Sequence, residues 1–75
     1  MFDAKIFIIR WPMTQQFRIC ATKSKYISKN FNRLQLDDDC CYAELLEESR
    51  FDSVFDLQKR VNEVREFIAE NQTWE

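Results

Sequence analysis

The side chains that could carry chemistry in this 75-residue chain are three cysteines and a run of three aspartates at 37–39. Calcium loops space their acids at alternate positions around a glycine, whereas these aspartates are consecutive. The run is therefore interpreted as a helix N-terminus rather than a metal site. Cys20, Cys40 and Cys41 supply three thiolates where a zinc site needs about four ligands. Cys40 and Cys41 could form a redox pair, but small buried side chains are the favoured interpretation, and neither a metal nor a cofactor is predicted.

Two residue types are missing, because the chain contains no glycine and no histidine. The lack of glycine excludes phosphate-cradling loops and the nucleophile elbow. The lack of histidine excludes an imidazole base and a His-ligated metal. The remaining Cys, Asp, Glu and Lys side chains form no nucleophile and base pair that spacing identifies. We therefore expect a protein that is not an enzyme.

The composition is that of a folded domain, with 45% hydrophobic, 32% charged and 15% aromatic residues. The length fits one domain spanning 1–75. A domain of this size buries only about 60% of the surface of its unfolded chain, so a partner or a second copy would add stability. The apolar run at 6–9 is too short for a signal peptide or a membrane span. An odd number of cysteines argues against a disulfide framework, and the expected location is the cytoplasm, or the host cytoplasm if the protein is viral.

Charge is divided between the two halves of the chain. Residues 1–36 carry seven Lys and Arg against one acid, whereas residues 37–75 carry four against twelve. The net charge of -2 conceals this division. Such segregation predicts surfaces of opposite potential on the folded molecule.

Three segments of the N-terminal half have strand character. Residues 4–11 are rich in β-branched and aromatic side chains on both faces and stop at Pro12, which predicts a central strand. Residues 15–22 alternate apolar and polar side chains, which predicts a strand with one wetter face, joined to the first as a hairpin. Residues 24–36 fit either a strand or a helix, and a third strand near 31–36 is favoured.

The C-terminal half has helical character. The aspartates at 37–39 precede Cys40–Glu48, where a short helix is predicted. Ser53 and Asp56 resemble a capping box that opens a longer helix ending near Glu70, with an apolar seam at Val54, Leu57, Val61, Val64 and Ile68. The expected fold class is α+β, a small antiparallel sheet of two or three strands from the N-terminal half, packed by one short and one long C-terminal helix.

The acidic half has a functional interpretation as a surface that binds a basic patch on another protein. Opposite charge would speed the encounter, and aromatic side chains would anchor it. The candidate partner-binding residues are Glu63, Glu66, Glu70, Glu47, Glu48 and Trp74.

The basic half offers an alternative, because Lys and Arg alternate with aromatic residues in a way that can bind phosphates and stack bases. The candidate nucleic-acid-binding residues are Arg18, Lys23, Lys25, Tyr26, Lys29 and Arg33. The negative net charge and the absence of a glycine-bearing RNA-binding motif make nucleic acid the less favoured partner.

In general character the chain resembles the small accessory proteins encoded by phages, including anti-CRISPR proteins and other inhibitors of host defence. The likeness consists of a short single-domain chain without Gly or His, aromatic-rich and with a charged face. It implies stoichiometric binding to a host protein and assigns no site residue. The predicted function is a non-catalytic interaction module, an inhibitor of a host defence or nucleic-acid-handling protein. A homodimer and a structural subunit of a larger complex remain alternatives.

Overall fold

A computed structural model describes residues 1–29, 31, 33–35 and 40–71. Four strands, a short 3-10 turn and one helix follow one another along the chain. They are β1 (Phe2–Trp11), β2 (Gln16–Lys23), the turn (Ser24–Tyr26), β3 (Arg33–Gln35), β4 (Tyr42–Phe51) and α1 (Val54–Asn71). The predicted α+β class is confirmed, with one C-terminal helix packed on an antiparallel sheet.

The strands form one antiparallel sheet in the order β2-β1-β4-β3, so β1 is an inner strand as predicted. Side chains alternate between the two faces of a strand. On β1, Ala4, Ile6 and Ile8 are fully buried on the face that α1 covers, while Phe7 and Ile9 on the other face are half-buried. We call this second face, opposite α1, the open face.

The β1–β2 hairpin turns without glycine. Thr14 donates its backbone N–H to the Trp11 carbonyl at 3.2 Å, and Gln15 donates to the Pro12 carbonyl at 3.3 Å. Gln15 takes a φ of 57°, the left-handed region that glycine usually occupies. The hairpin and both of its strands were predicted, and the structure assigns the strained position to Gln15.

The short helix predicted over Cys40–Glu48 is wrong, because this segment lies mostly in β4. Its Ala, Glu and Leu residues favour a helix locally. However, β1 is apolar on both faces and needs a hydrogen-bonded neighbour on each side, and β4 supplies the second one. Tertiary pairing thus overrides local propensity. The sheet consequently has four strands rather than two or three, and the aspartates at 37–39 lie outside the described residues.

The strand predicted near 31–36 is confirmed as the three-residue β3, which pairs with β4 at the edge of the sheet. Between β2 and β3, Ser28 and Phe31 lie against the open face. Lys5, only 4% exposed, donates from Nζ to the Ser28 carbonyl at 2.9 Å, and the Phe31 ring meets the Phe7 ring edge-on at 5.8 Å.

Helix α1 begins as the sequence predicts. The Ser53 hydroxyl oxygen accepts a hydrogen bond from the Asp56 backbone N–H at 3.2 Å, which satisfies an amide that has no partner inside the helix. Of the predicted seam, Val61 and Val64 are buried and pack with Ile6, Ile8 and Ile19 to form the core, and Leu57 and Ile68 pack around it. Val54 is 68% exposed, because it is the first helical residue and precedes the contact with the sheet.

Candidate interaction groove

A groove of about 450 Å³ lies between α1 and β4. We call it the acidic groove. Its lining combines an apolar floor with two acids and one base: Leu46, Glu47, Arg60, Glu63, Val64, Phe67 and Ile68. Because its carboxylates outnumber its guanidinium groups, the groove favours a cationic ligand with an apolar portion.

A register shift in β4 shapes one wall of the groove. Ile6 pairs with Glu47 and Phe7 pairs with Leu45, so Leu46 has no partner on β1. Such a bulge turns two successive side chains toward the same face of a sheet. Leu46 accordingly packs against the core under α1, and Glu47 reaches Arg60 of α1.

The helical repeat shapes the other wall. Residues three or four positions apart lie on the same side of a helix. Successive turns of α1 therefore line the groove, first with Arg60, then with Glu63 and Val64, and then with Phe67 and Ile68. The buried members, led by Val64, fix α1 on the sheet. The exposed members, Glu63 and Phe67, form the rim.

Arg60 and Glu47 bridge the groove with a two-pronged ion pair. Arg60 donates from Nη2 to Oε1 of Glu47 at 2.7 Å and from Nε to Oε2 at 3.0 Å. These hydrogen bonds lower the pKa of the Glu47 carboxyl, against an opposing effect of burial. The same hydrogen bonds to Glu47 raise the pKa of the Arg60 guanidinium, and the charge of Glu63 adds to this effect. Since Glu47 already holds Arg60, Glu63 is the surplus acid of the groove.

Phe67 is the aromatic residue that the sequence did not single out. Its side chain is 64% exposed on the rim of the groove. The apolar seam of α1 passes through Val64 and Ile68 and does not include Phe67. This position outside the seam could have identified Phe67 from the sequence. A large aromatic residue beside an apolar seam, but outside it, is not needed for the core.

The candidate acidic residues divide between different surfaces. Glu47 and Glu63 line the groove, and Glu70 follows Glu63 and Phe67 at helical spacing on the same stripe. Glu66 is exposed on the side of α1 turned away from the sheet. Glu48 accepts a hydrogen bond from the Ser24 hydroxyl at 2.6 Å and pairs in register with Lys5 on the open face. Trp74 lies outside the described residues.

Three of the six candidate nucleic-acid-binding residues, Lys25, Tyr26 and Lys29, closely follow β2 in sequence, and we call them the basic corner. Lys23 ends β2 and pairs in register with Ala4, on the side of the sheet that carries α1. The Lys25 ammonium lies 5.1 Å from the Tyr26 ring centre, and the Lys23 ammonium lies 5.4 Å from the Phe2 ring centre. Arg18 lies farther along β2, opposite Ile9, and Arg33 lies on the far edge of the sheet in β3. β2 and β3 thus form opposite edges of the sheet.

The three cysteine side chains lie in different surroundings. Cys41 is buried, Cys20 is half-buried and Cys40 is exposed. The prediction of a small buried side chain therefore fails for Cys40, which precedes β4 instead of lying inside a packed helix. Within the part of the chain that the structure describes, no three Cys, Asp or Glu side chains gather as metal ligands would.

Comparison with protein-family models, with curated protein sequences and with solved structures found no match to this chain. Over the described ranges, no helix combines the length and the apolar character required to cross a lipid bilayer.

Proposed function

We propose that this protein is a non-catalytic protein-protein interaction module whose acidic groove binds a basic patch on another protein. The observation that carries the proposal is the exposed Phe67 ring beside the surplus carboxylate of Glu63, above a floor of Leu46 and Val64. This arrangement can bury an apolar side chain and pair a cation in one place. Following the phage-like character of the chain, we further propose that binding is stoichiometric and blocks a host defence or nucleic-acid-handling protein in the cytoplasm.

The two components of the groove support different steps of binding. Charge around the groove accelerates the encounter with a basic surface, and this effect weakens as salt is added. Binding energy concentrates in a few buried anchors, and exposed rim charges contribute less. Phe67 is therefore proposed as the anchor, with Glu63 and Glu70 steering the partner.

The modest core gives an independent argument for a partner. Among the described residues, Ile6 and Ile8 are the only large side chains that are fully buried. Small domains with few buried side chains gain stability when a bound molecule covers more of their apolar surface.

Affinity purification of the tagged protein from its native cells, or from infected cells if it is viral, tests the proposal. The expected result is one protein retained at a fixed ratio to the bait after nuclease treatment. Recovery of nucleic acid alone, lost with a steep logarithmic dependence on salt, would contradict it. A chain that is insoluble or unfolded when purified alone would instead support a structural subunit of a larger complex.

Nucleic-acid binding is the second candidate, and the exposure of Tyr26 favours it. The Tyr26 side chain is 69% exposed beside the Lys25 ammonium, a combination that can stack a base next to a phosphate. This candidate predicts that Lys25→Glu with Lys29→Glu abolishes binding. The acidic-groove proposal predicts that the same pair of changes has little effect on the protein partner.

A further inference from the structure

The acidic groove and the basic corner lie on opposite sides of the sheet. The groove opens between α1 and β4. The corner belongs to the segment that follows β2, where Lys5 holds the Ser28 carbonyl and Phe7 holds Phe31 on the open face. Because the sheet stands between the two surfaces, the corner of one molecule cannot fill the groove of the same molecule.

Both surfaces have charges left over for an outside ligand. Two ion pairs between described residues are Arg50–Asp3 and Arg60–Glu47. Neither of them uses a lysine of the basic corner, and neither uses Glu63. Lys25 and Lys29 are exposed, as is Glu63.

The two surfaces also match in their apolar parts. The groove presents Phe67, which is 64% exposed, and the corner presents Tyr26, which is 69% exposed. Each aromatic ring stands beside charge, Phe67 beside Glu63 and Tyr26 beside Lys25. Contact between the surfaces would bury two exposed rings and pair opposite charges at once.

We propose that the acidic groove of one copy accepts the basic corner of a second copy. Tyr26 of the incoming copy packs against Phe67, and its Lys25 and Lys29 face Glu63. The contact joins two different surfaces, so it is heterologous, and each bound copy keeps one groove or one corner open for further growth. The patches are small, and the association is therefore weak and transient.

This inference rests on the proposed function only in using the same groove, and self-association competes there with the partner. Purified protein alone tests it by sedimentation equilibrium over increasing concentration. The wild-type average mass is expected to rise above that of the monomer with concentration, and to return to the monomer value as sodium chloride screens the contact. A mass that stays monomeric up to millimolar concentration would overturn the inference.

Two variants test the polarity of the contact. The groove variant carries Glu63→Lys and Phe67→Ser, and the corner variant carries Lys25→Glu and Lys29→Glu. All four side chains are exposed, so both variants are expected to keep the circular dichroism spectrum of the wild type. Each variant alone should remain monomeric. An equimolar mixture should associate, because each pair contains one intact groove and one intact corner.

The outcomes separate this inference from the proposed function. A corner variant that still self-associates would point to a symmetric contact and overturn the head-to-tail arrangement. A mixture that remains monomeric while the wild type associates would overturn it as well. Either result leaves capture of a different protein through the groove unaffected, since that experiment requires no second copy of this chain.

Discussion

At the scale of single residues, the Arg60–Glu47 pair is the electrostatic feature that connects the groove to stability. It joins α1 to β4 by two parallel hydrogen bonds, with both side chains partly exposed. Pairs of this exposure contribute modestly, because solvent screens the charges. The pair therefore orients the groove wall more than it stabilises the fold.

Replacing Glu47 with Gln is expected to lower the free energy of unfolding near neutral pH by about 0.5–1 kcal/mol. The pKa of Glu47 is lower in the folded protein than its ordinary value, so the contribution is complete above the unfolded pKa and is lost as pH falls through the folded pKa. Urea denaturation near pH 7 measures the loss of stability, and urea denaturation in acid measures how that loss depends on pH. Glu66→Gln, at an exposed position away from the groove, is the control. A difference between the Glu47 variant and the wild type that persists in strong acid would contradict this account.

Gln15 is a second position where one residue carries a measurable cost. Its left-handed φ of 57° is unfavourable for a side chain with a Cβ atom. Gln15→Gly is therefore expected to raise the free energy of unfolding by about 0.5–1 kcal/mol. Gln16→Gly, one residue later at the start of β2, should lower it, because glycine weakens a strand. Thermal melts of the two variants should move in opposite directions, and a shift in the same direction would refute the assignment of strain to Gln15.

At the scale of elements, the packing of α1 on the sheet determines where the groove lies. Val61 and Val64 are 6% and 8% exposed, and they meet Ile6, Ile8 and Ile19. A charge at such a position would be buried without a partner, which is among the most destabilising changes in a small domain.

Val61→Asp is expected to unfold the domain, and circular dichroism measures the loss of helix. Asn62→Asp introduces the same carboxylate on the neighbouring exposed residue and should leave the melting temperature within a few degrees of the wild type. If both variants melt like the wild type, α1 does not pack through this seam.

Local sequence patterns predict some secondary-structure elements of this fold and fail for others. The β1–β2 hairpin and α1 follow from alternation, a capping box and a seam, all of which are local patterns. The segment that contains β3 fitted either a strand or a helix, with a strand favoured. β4 could not be inferred from propensity, because its Ala, Glu and Leu residues are typical of helices. Apolar residues at the alternate positions Cys41, Ala43 and Leu45 are consistent with a strand. This pattern outweighs helix propensity only once β1 is known to need a second hydrogen-bonded neighbour, which β4 supplies.

The groove was less predictable than the fold, because it also depends on how β4 pairs with β1. The acids Glu47 and Glu63 were identified from charge alone, but their meeting depends on a bulge at Leu46 that only the pairing with β1 reveals. Charge alone also grouped Glu48 with them, although β4 turns this residue to the open face beside Ser24.

At the scale of the whole molecule, the division of charge along the chain becomes a division in space. The basic corner follows β2 on the open face, and the acidic groove lies on the side of the sheet that carries α1. A molecule of this kind can present one surface to a partner while the other stays available. Changes on the two surfaces are therefore expected to have separable effects.

The most direct test compares the affinity of the captured protein partner for the wild type, the groove variant and the corner variant in parallel binding titrations. The groove variant, with Glu63→Lys and Phe67→Ser, is expected to bind at least about 30-fold more weakly, as loss of an anchor residue does at protein interfaces. The corner variant, with Lys25→Glu and Lys29→Glu, should bind within about threefold of the wild type, because exposed charges outside the contact contribute little. A partner that binds the groove variant as tightly as the wild type, or that is lost only with the corner variant, would contradict the assignment of the acidic groove as the binding surface.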